Sequence, residues 1–272
     1  MTEEPAAVHP SWLKIGGIGC AVALALAALA VGAIVSLTFR GYGRGFEVEG
    51  QLDRAYGQYE SYRIPPHGTI PPDRLDRFIA VRRALIPRCA EVSDVTGSFA
   101  RVQAAAREPD PDVPGLFDRA GAAIRRLPRV GLVFGAYVND RNKALLDNGM
   151  GLGEYTWIYV VGYFGLLQQP PSAVLPSSDR PDVFRDRVFP ETARLIERHI
   201  EQAGITTGPW VDELARLRDD PGHVPFSGTL PPELAASLEP HHQALAGVAC
   251  PEAAELDVTV TVKRGTIGYD HR

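Results

Sequence analysis

From Ile15 to Phe39 the chain has no charged side chain, and only Ser36 and Thr38 carry hydroxyls. At 1.5 Å per residue such a helix is roughly 37 Å long, enough to cross a hydrocarbon core of roughly 30 Å. The pattern predicts a transmembrane helix over residues 14–40. A short polar tail (1–13) precedes it, and a Gly-rich joint (41–45) follows. Beyond the joint the apolar spacing turns helical. Phe78, Leu85, Val92 and Phe99 recur every seventh position, with Val81, Val95 and Val102 on the adjacent row. Phe117, Ile124, Val138 and Leu145 repeat the pattern, flanked by Ala120, Leu127 and Phe134. Each helix buries one stripe, and an antiparallel hairpin satisfies both. Pro87 predicts a kink or break in the first and Pro128 a kink in the second.

Residues 155–167, YTWIYVVGYFGLL, are apolar on every face. That length is short for a span and fits a buried core helix. The helical core is therefore placed at 46–168. A Pro- and Ser-rich loop follows at 169–189, short helices at 190–250 and a tail at 251–272. Pro190, Pro209 and Pro232 suit first helical turns, and Gly204 suits a C-cap. GTIPPD at 68 and GTLPPE at 228 are read as one local device for starting a helix, because the match does not extend over a repeat unit. Val258, Val260 and Val262 alternate with polar residues, the period of a short C-terminal strand. The expected class is all-α: one membrane helix, a hairpin or bundle-like domain, and that strand.

A cleaved signal peptide competes for the anchor, since Ala28-Leu29-Ala30 resembles a cleavage site. The apolar run continues well past it, and the N-terminal flank holds Glu3 and Glu4 against Lys14, so an uncleaved anchor is preferred. Cys20 precedes most of the apolar stretch, the wrong order for a lipoprotein. Arg40, Arg44 and Arg54 favour a cytoplasmic domain by the positive-inside rule, but long domains cross largely regardless of charge. The expected location is a bacterial inner membrane, single-pass, with the domain outside. Gly16, Cys20, Gly32 and Ser36 fall at spacings that permit helix pairing, so a homodimer through the membrane helix joins the bilayer and an envelope protein as candidate partners.

Composition removes several function classes. The 272 residues carry a net charge of −5, against a nucleic-acid partner. No G-x-S-x-G, P-loop or H-E-x-x-H occurs, and no strand precedes the glycines at 149, 151 and 153. Adjacent His241 and His242 diverge on a helix, so no metal site is expected, and no cofactor. Of three cysteines, Cys20 lies in the anchor. Cys89 and Cys250 are expected as buried free thiols, pairing only in an oxidising compartment with Cα atoms within about 7 Å.

The remaining candidate site is Glu154, Tyr155, Trp157, Tyr159 and Tyr163, a carboxylate and four polar-tipped rings on the apolar segment. They suit a pocket for a lipid or small molecule. The main expectation is a non-enzymatic interaction or envelope protein. WLKIGGIGCAVALALAALAVG, GTIPPDRLDRFIAVRRAL and MGLGEYTW together resemble bacterial proteins of uncharacterised function with one N-terminal anchor and a helical domain. The resemblance implies that architecture and assigns no activity to any residue.

Overall fold

The computed structural model describes residues 47–106, 113–171 and 182–258, with side chains outside 98–128. The anchor, its tail and the glycine joint lie outside these residues. Among the described residues no helix is long and apolar enough to cross a membrane.

Every described element is helical. Helix α1 covers 47–56 and leads through a 3₁₀ turn at Tyr59–Ser61 to α2 (Pro72–Ala106). Helix α3 (Val113–Asp147) returns alongside α2. The pair is antiparallel. Arg74 and Arg77, at the start of α2, donate to the carbonyls of Gly149 and Asn148 just past the end of α3. The expected stripes face inward: Phe78, Val81, Leu85 and Val92 are fully buried on α2, and Val138 and Leu145 on α3. Phe99, Val102, Phe117, Ile124 and Pro128 lie outside the described side chains.

Helix α4 (Leu152–Tyr159) continues without a break into a π-helical stretch, Val160–Leu166. Residues 155–165 are all buried, as expected for a core helix. Gly153 is needed where α4 meets the Tyr59 turn, because a Cβ there would lie 2.3 Å from the Tyr59 carbonyl oxygen. A π-helical turn at Phe184–Val188 then opens α5 (Phe189–Ala203), followed by α6 (Pro209–Asp219), α7 (Pro232–Leu238), α8 (His242–Gly247) and α9 (Ala254–Val258). Gly204 closes α5 in the left-handed region, φ 66°, a conformation glycine adopts without steric cost. The two GT-x-PP motifs both start helices, and the first contacts the helix that the second starts: the Ile70 amide donates to Ser237 Oγ on α7 at 3.3 Å.

Four expectations need correction. The loop placed at 169–189 is helical from Phe184, because Phe184, Val188 and Phe189 bury their side chains, and Phe184 and Phe189 pack on Phe164. Residues 172–181 lie outside the described residues. The break allowed for at Pro87 does not occur: helix α2 runs through it, and Pro87 is exposed, so water can reach the carbonyl that its missing N–H leaves free. The C-terminal stretch is not a tail as far as Val258. Residues 254–258 form α9, with Ala254, Leu256, Asp257 and Val258 buried, so Val258 is helical where a strand was expected. The remaining strand positions, 259–263, lie outside the described residues. Cys89 and Cys250 are joined as a disulfide, their Cα atoms 6.0 Å apart, and are not free thiols.

Candidate functional site

An arginine interrupts the buried stripe of α2. Arg82 shares the inward face with Phe78, Val81 and Leu85, and it is fully buried. A buried guanidinium requires an opposing charge and partners for its N–H groups. The charge is Asp257 of α9, also fully buried, whose Oδ1 accepts from Arg82 Nη1. The same oxygen accepts from Tyr137 Oη at 2.7 Å and Tyr155 Oη at 2.8 Å. Arg82 Nη1 also reaches the hydroxyls of Tyr155 (3.0 Å) and Tyr137 (3.3 Å), and its Nε reaches Tyr163 Oη at 3.3 Å. The rings of Tyr159 and Tyr163 face the guanidinium, their centroids 5.6 and 5.4 Å from Cζ, within cation–π range. One arginine is thus caged by four tyrosines and one carboxylate.

A second buried arginine holds the same segment. Arg141 of α3 donates from Nη1 to the carbonyls of Leu256 (2.7 Å) and Asp257 (2.8 Å), while Asn142 Oδ1 accepts from its Nε and Nη2. Burial works against both cations, and the outcomes differ. Burial pushes the Arg141 pKa down. At Arg82 burial acts in the same direction, but Asp257 and the surrounding tyrosines outweigh it and hold the pKa well above its ordinary value. Burial also raises Tyr137, Tyr155, Tyr159 and Tyr163, keeping the hydroxyls protonated. The Tyr137 and Tyr155 hydroxyls serve as donors to Asp257.

The five candidate residues fall in three places. Tyr155, Tyr159 and Tyr163 belong to the cage. Trp157 points away from it, stacked on Trp210 (centroids 6.2 Å, interplanar angle 19°) and edge-on to Phe226 (5.9 Å). Phe226 has φ 60°, unusual for a bulky residue, and its amide is tied to the buried Glu213 carboxylate at 2.6 Å. Glu154, in the first turn of α4, pairs with Arg74 through both carboxylate oxygens. It lines a half-open pocket of about 120 Å³ with Tyr56, Gly57, Gln58, Tyr62, Gly151 and Gly153. That is well below the roughly 300 Å³ or more typical of ligand pockets, and none of the other four candidates lines it.

Sequence reading missed Arg82, Arg141, Tyr137 and Asp257. The signal was present for three of them, because Arg82, Tyr137 and Arg141 sit at core spacings on amphipathic helices. Asp257 lay in a segment read as a tail.

A titrating group sits beside the tryptophans. His199 of α5 is buried with its ring centroid 4.7 Å from that of Trp210, whose Nε1 donates to Glu233 at 2.5 Å. Burial lowers the His199 pKa below its ordinary 6.5, with Glu233 acting in the opposite direction. The unfolded chain therefore takes up a proton, as pH falls below about 6.5, that the folded chain refuses. Stability should decline with falling pH from there until the lowered folded pKa is reached. Urea midpoints compared at about pH 7.5 and about pH 5 should show a smaller pH-dependent loss for His199→Phe than for the parent. An equal loss in both would assign the effect to other groups.

No family model, curated protein or solved structure matches the chain.

Proposed function

We propose that this chain is a single-pass bacterial membrane protein whose helical domain stands outside the cytoplasm and acts by binding an envelope protein. The observation that carries this reading is the Cys89–Cys250 disulfide. Disulfides persist in oxidising compartments and are rare in the cytosol. Together with the uncharged stretch 15–39, this favours translocation over the simple count of Arg40, Arg44 and Arg54. The internal rings also favour a protein partner over a lipid. Tyr155, Tyr159 and Tyr163 pack around Arg82, and Trp157 packs against Trp210 and Phe226.

The full-length protein should stay in the membrane pellet after an alkaline carbonate wash. A reporter fused after Arg272 should be active only in its exported form. Release by carbonate, or activity of a cytoplasm-only reporter, would overturn the reading. Purification in mild detergent should recover a stoichiometric protein; recovery of bound lipid alone would favour the ligand-binding alternative.

A further inference from the structure

Besides the burial of Ala253, Ala254, Leu256 and Val258, three polar or covalent contacts tie the segment from Cys250 to Val258 to the helical hairpin. Cys250 is bonded to Cys89 on α2. The Asp257 side chain enters the Arg82 cage, also on α2. The Leu256 and Asp257 carbonyls accept from Arg141 on α3. Cys89 and Arg82 are seven positions apart on one helix, so the disulfide and the ion pair lie about two turns apart on one face. Cys250 is seven positions before Asp257, so the covalent bond fixes the chain within a short reach of the cage.

The ionic contacts alone do not make a strong rivet. A buried ion pair gives up the hydration of both charges, and that loss offsets much of their attraction. Undocking rehydrates Arg82, Arg141 and Asp257 together. The described part of helix α9 is five residues, too few to persist by itself. The burial of Leu256 and Val258 also opposes undocking, because release exposes them to water, and the covalent bond adds a tether that only reduction removes.

We infer that the Cys89–Cys250 disulfide is a redox-controlled latch that keeps residues 250–258 docked between α2 and α3, and that a dithiol reductant releases them. Cys89 is partly exposed and Cys250 is buried. A thiolate of the dithiol attacks Cys89 Sγ, and the Cys89–Cys250 bond breaks. Cys250 leaves as a thiolate and takes up a proton. The second thiol of the reductant, as a thiolate, then displaces Cys89, which is also protonated. The dithiol ends as a disulfide, and two electrons have passed to the protein.

Amide hydrogen exchange on the full chain in detergent, with and without dithiothreitol, tests this. In the oxidised protein, amides of 253–258 should be protected. On reduction their exchange should rise about tenfold or more while α4, α5 and α6 keep their rates. The Cys89→Ser/Cys250→Ser protein should exchange like the reduced parent without any reductant. Unchanged protection at 253–258 after confirmed reduction would overturn the latch. So would faster exchange throughout the domain, which would make the disulfide a general staple. The test uses purified protein and does not depend on compartment, so it can fail while the membrane reading stands, and the reverse.

Discussion

Replacing Asp257 with Ala should destabilise the domain by about 3–5 kcal/mol, because it leaves the Arg82 guanidinium buried without an opposing charge. It also removes the acceptor of the Tyr137 and Tyr155 hydroxyls. Whole domains have only about 5–15 kcal/mol in hand, so the variant should unfold at a much lower urea concentration than the parent. The informative companion is Arg82→Met/Asp257→Leu. Exchanging a buried pair for apolar residues of similar size is often neutral or stabilising, so the double variant should recover most of the loss. A loss below about 1 kcal/mol for Asp257→Ala would mean that water reaches Arg82, and the cage is not closed.

The second large effect is expected at Trp157. It is 1% exposed, stacked on Trp210 and edge-on to Phe226. Trp157→Ala removes one of the largest buried side chains and leaves a cavity, at a cost of about 3–5 kcal/mol. For a domain of this size the melting temperature should fall on the order of 10 °C. Its indole Nε1 has no hydrogen-bond partner, so Trp157→Phe gives up volume and no hydrogen bond, and should cost about 1–2 kcal/mol. Equal, small effects for the two variants would show that Trp157 is not packed in the core.

What the sequence made visible was local. The stripe of Phe78, Leu85 and Val92 names a buried face, because a helix repeats its surface over short spans. The all-round apolarity of 155–167 names a buried helix for the same reason. Gly204 and the prolines at 190, 209 and 232 mark helix ends through backbone geometry alone. The cage was invisible for the opposite reason. Arg82 and Asp257 are 175 positions apart, and no periodicity carries information over that distance. Cys89 and Cys250, separated by 161 positions, meet through the same tertiary packing. At Val258 the alternation pointed to a strand, but Arg141 binding the Leu256 and Asp257 carbonyls and the burial of Leu256 outweigh that local preference there. Of the cage, the sequence located Tyr155, Tyr159 and Tyr163, and neither Tyr137 nor the charge they surround.

The switch from α to π geometry at Val160 sets the phase of those tyrosines. Tyr155, Tyr159 and Tyr163 are spaced by four. In an α-helix each such step overshoots a full turn by about 40°, so two steps would carry Tyr163 about 80° away from Tyr155. A π turn closes between i and i+5, as where the Leu167 amide bonds the Gly162 carbonyl, and it holds more residues per turn. The second step therefore falls short of a turn where the first overshoots, and the two errors largely cancel. Tyr163 returns to the azimuth of Tyr155, so both hydroxyls reach one guanidinium. The stretch behaves as a one-residue phase corrector: with α pitch kept through the same eight positions, Tyr163 would lie about 80° from Tyr155 and the third tyrosine would lose its cation.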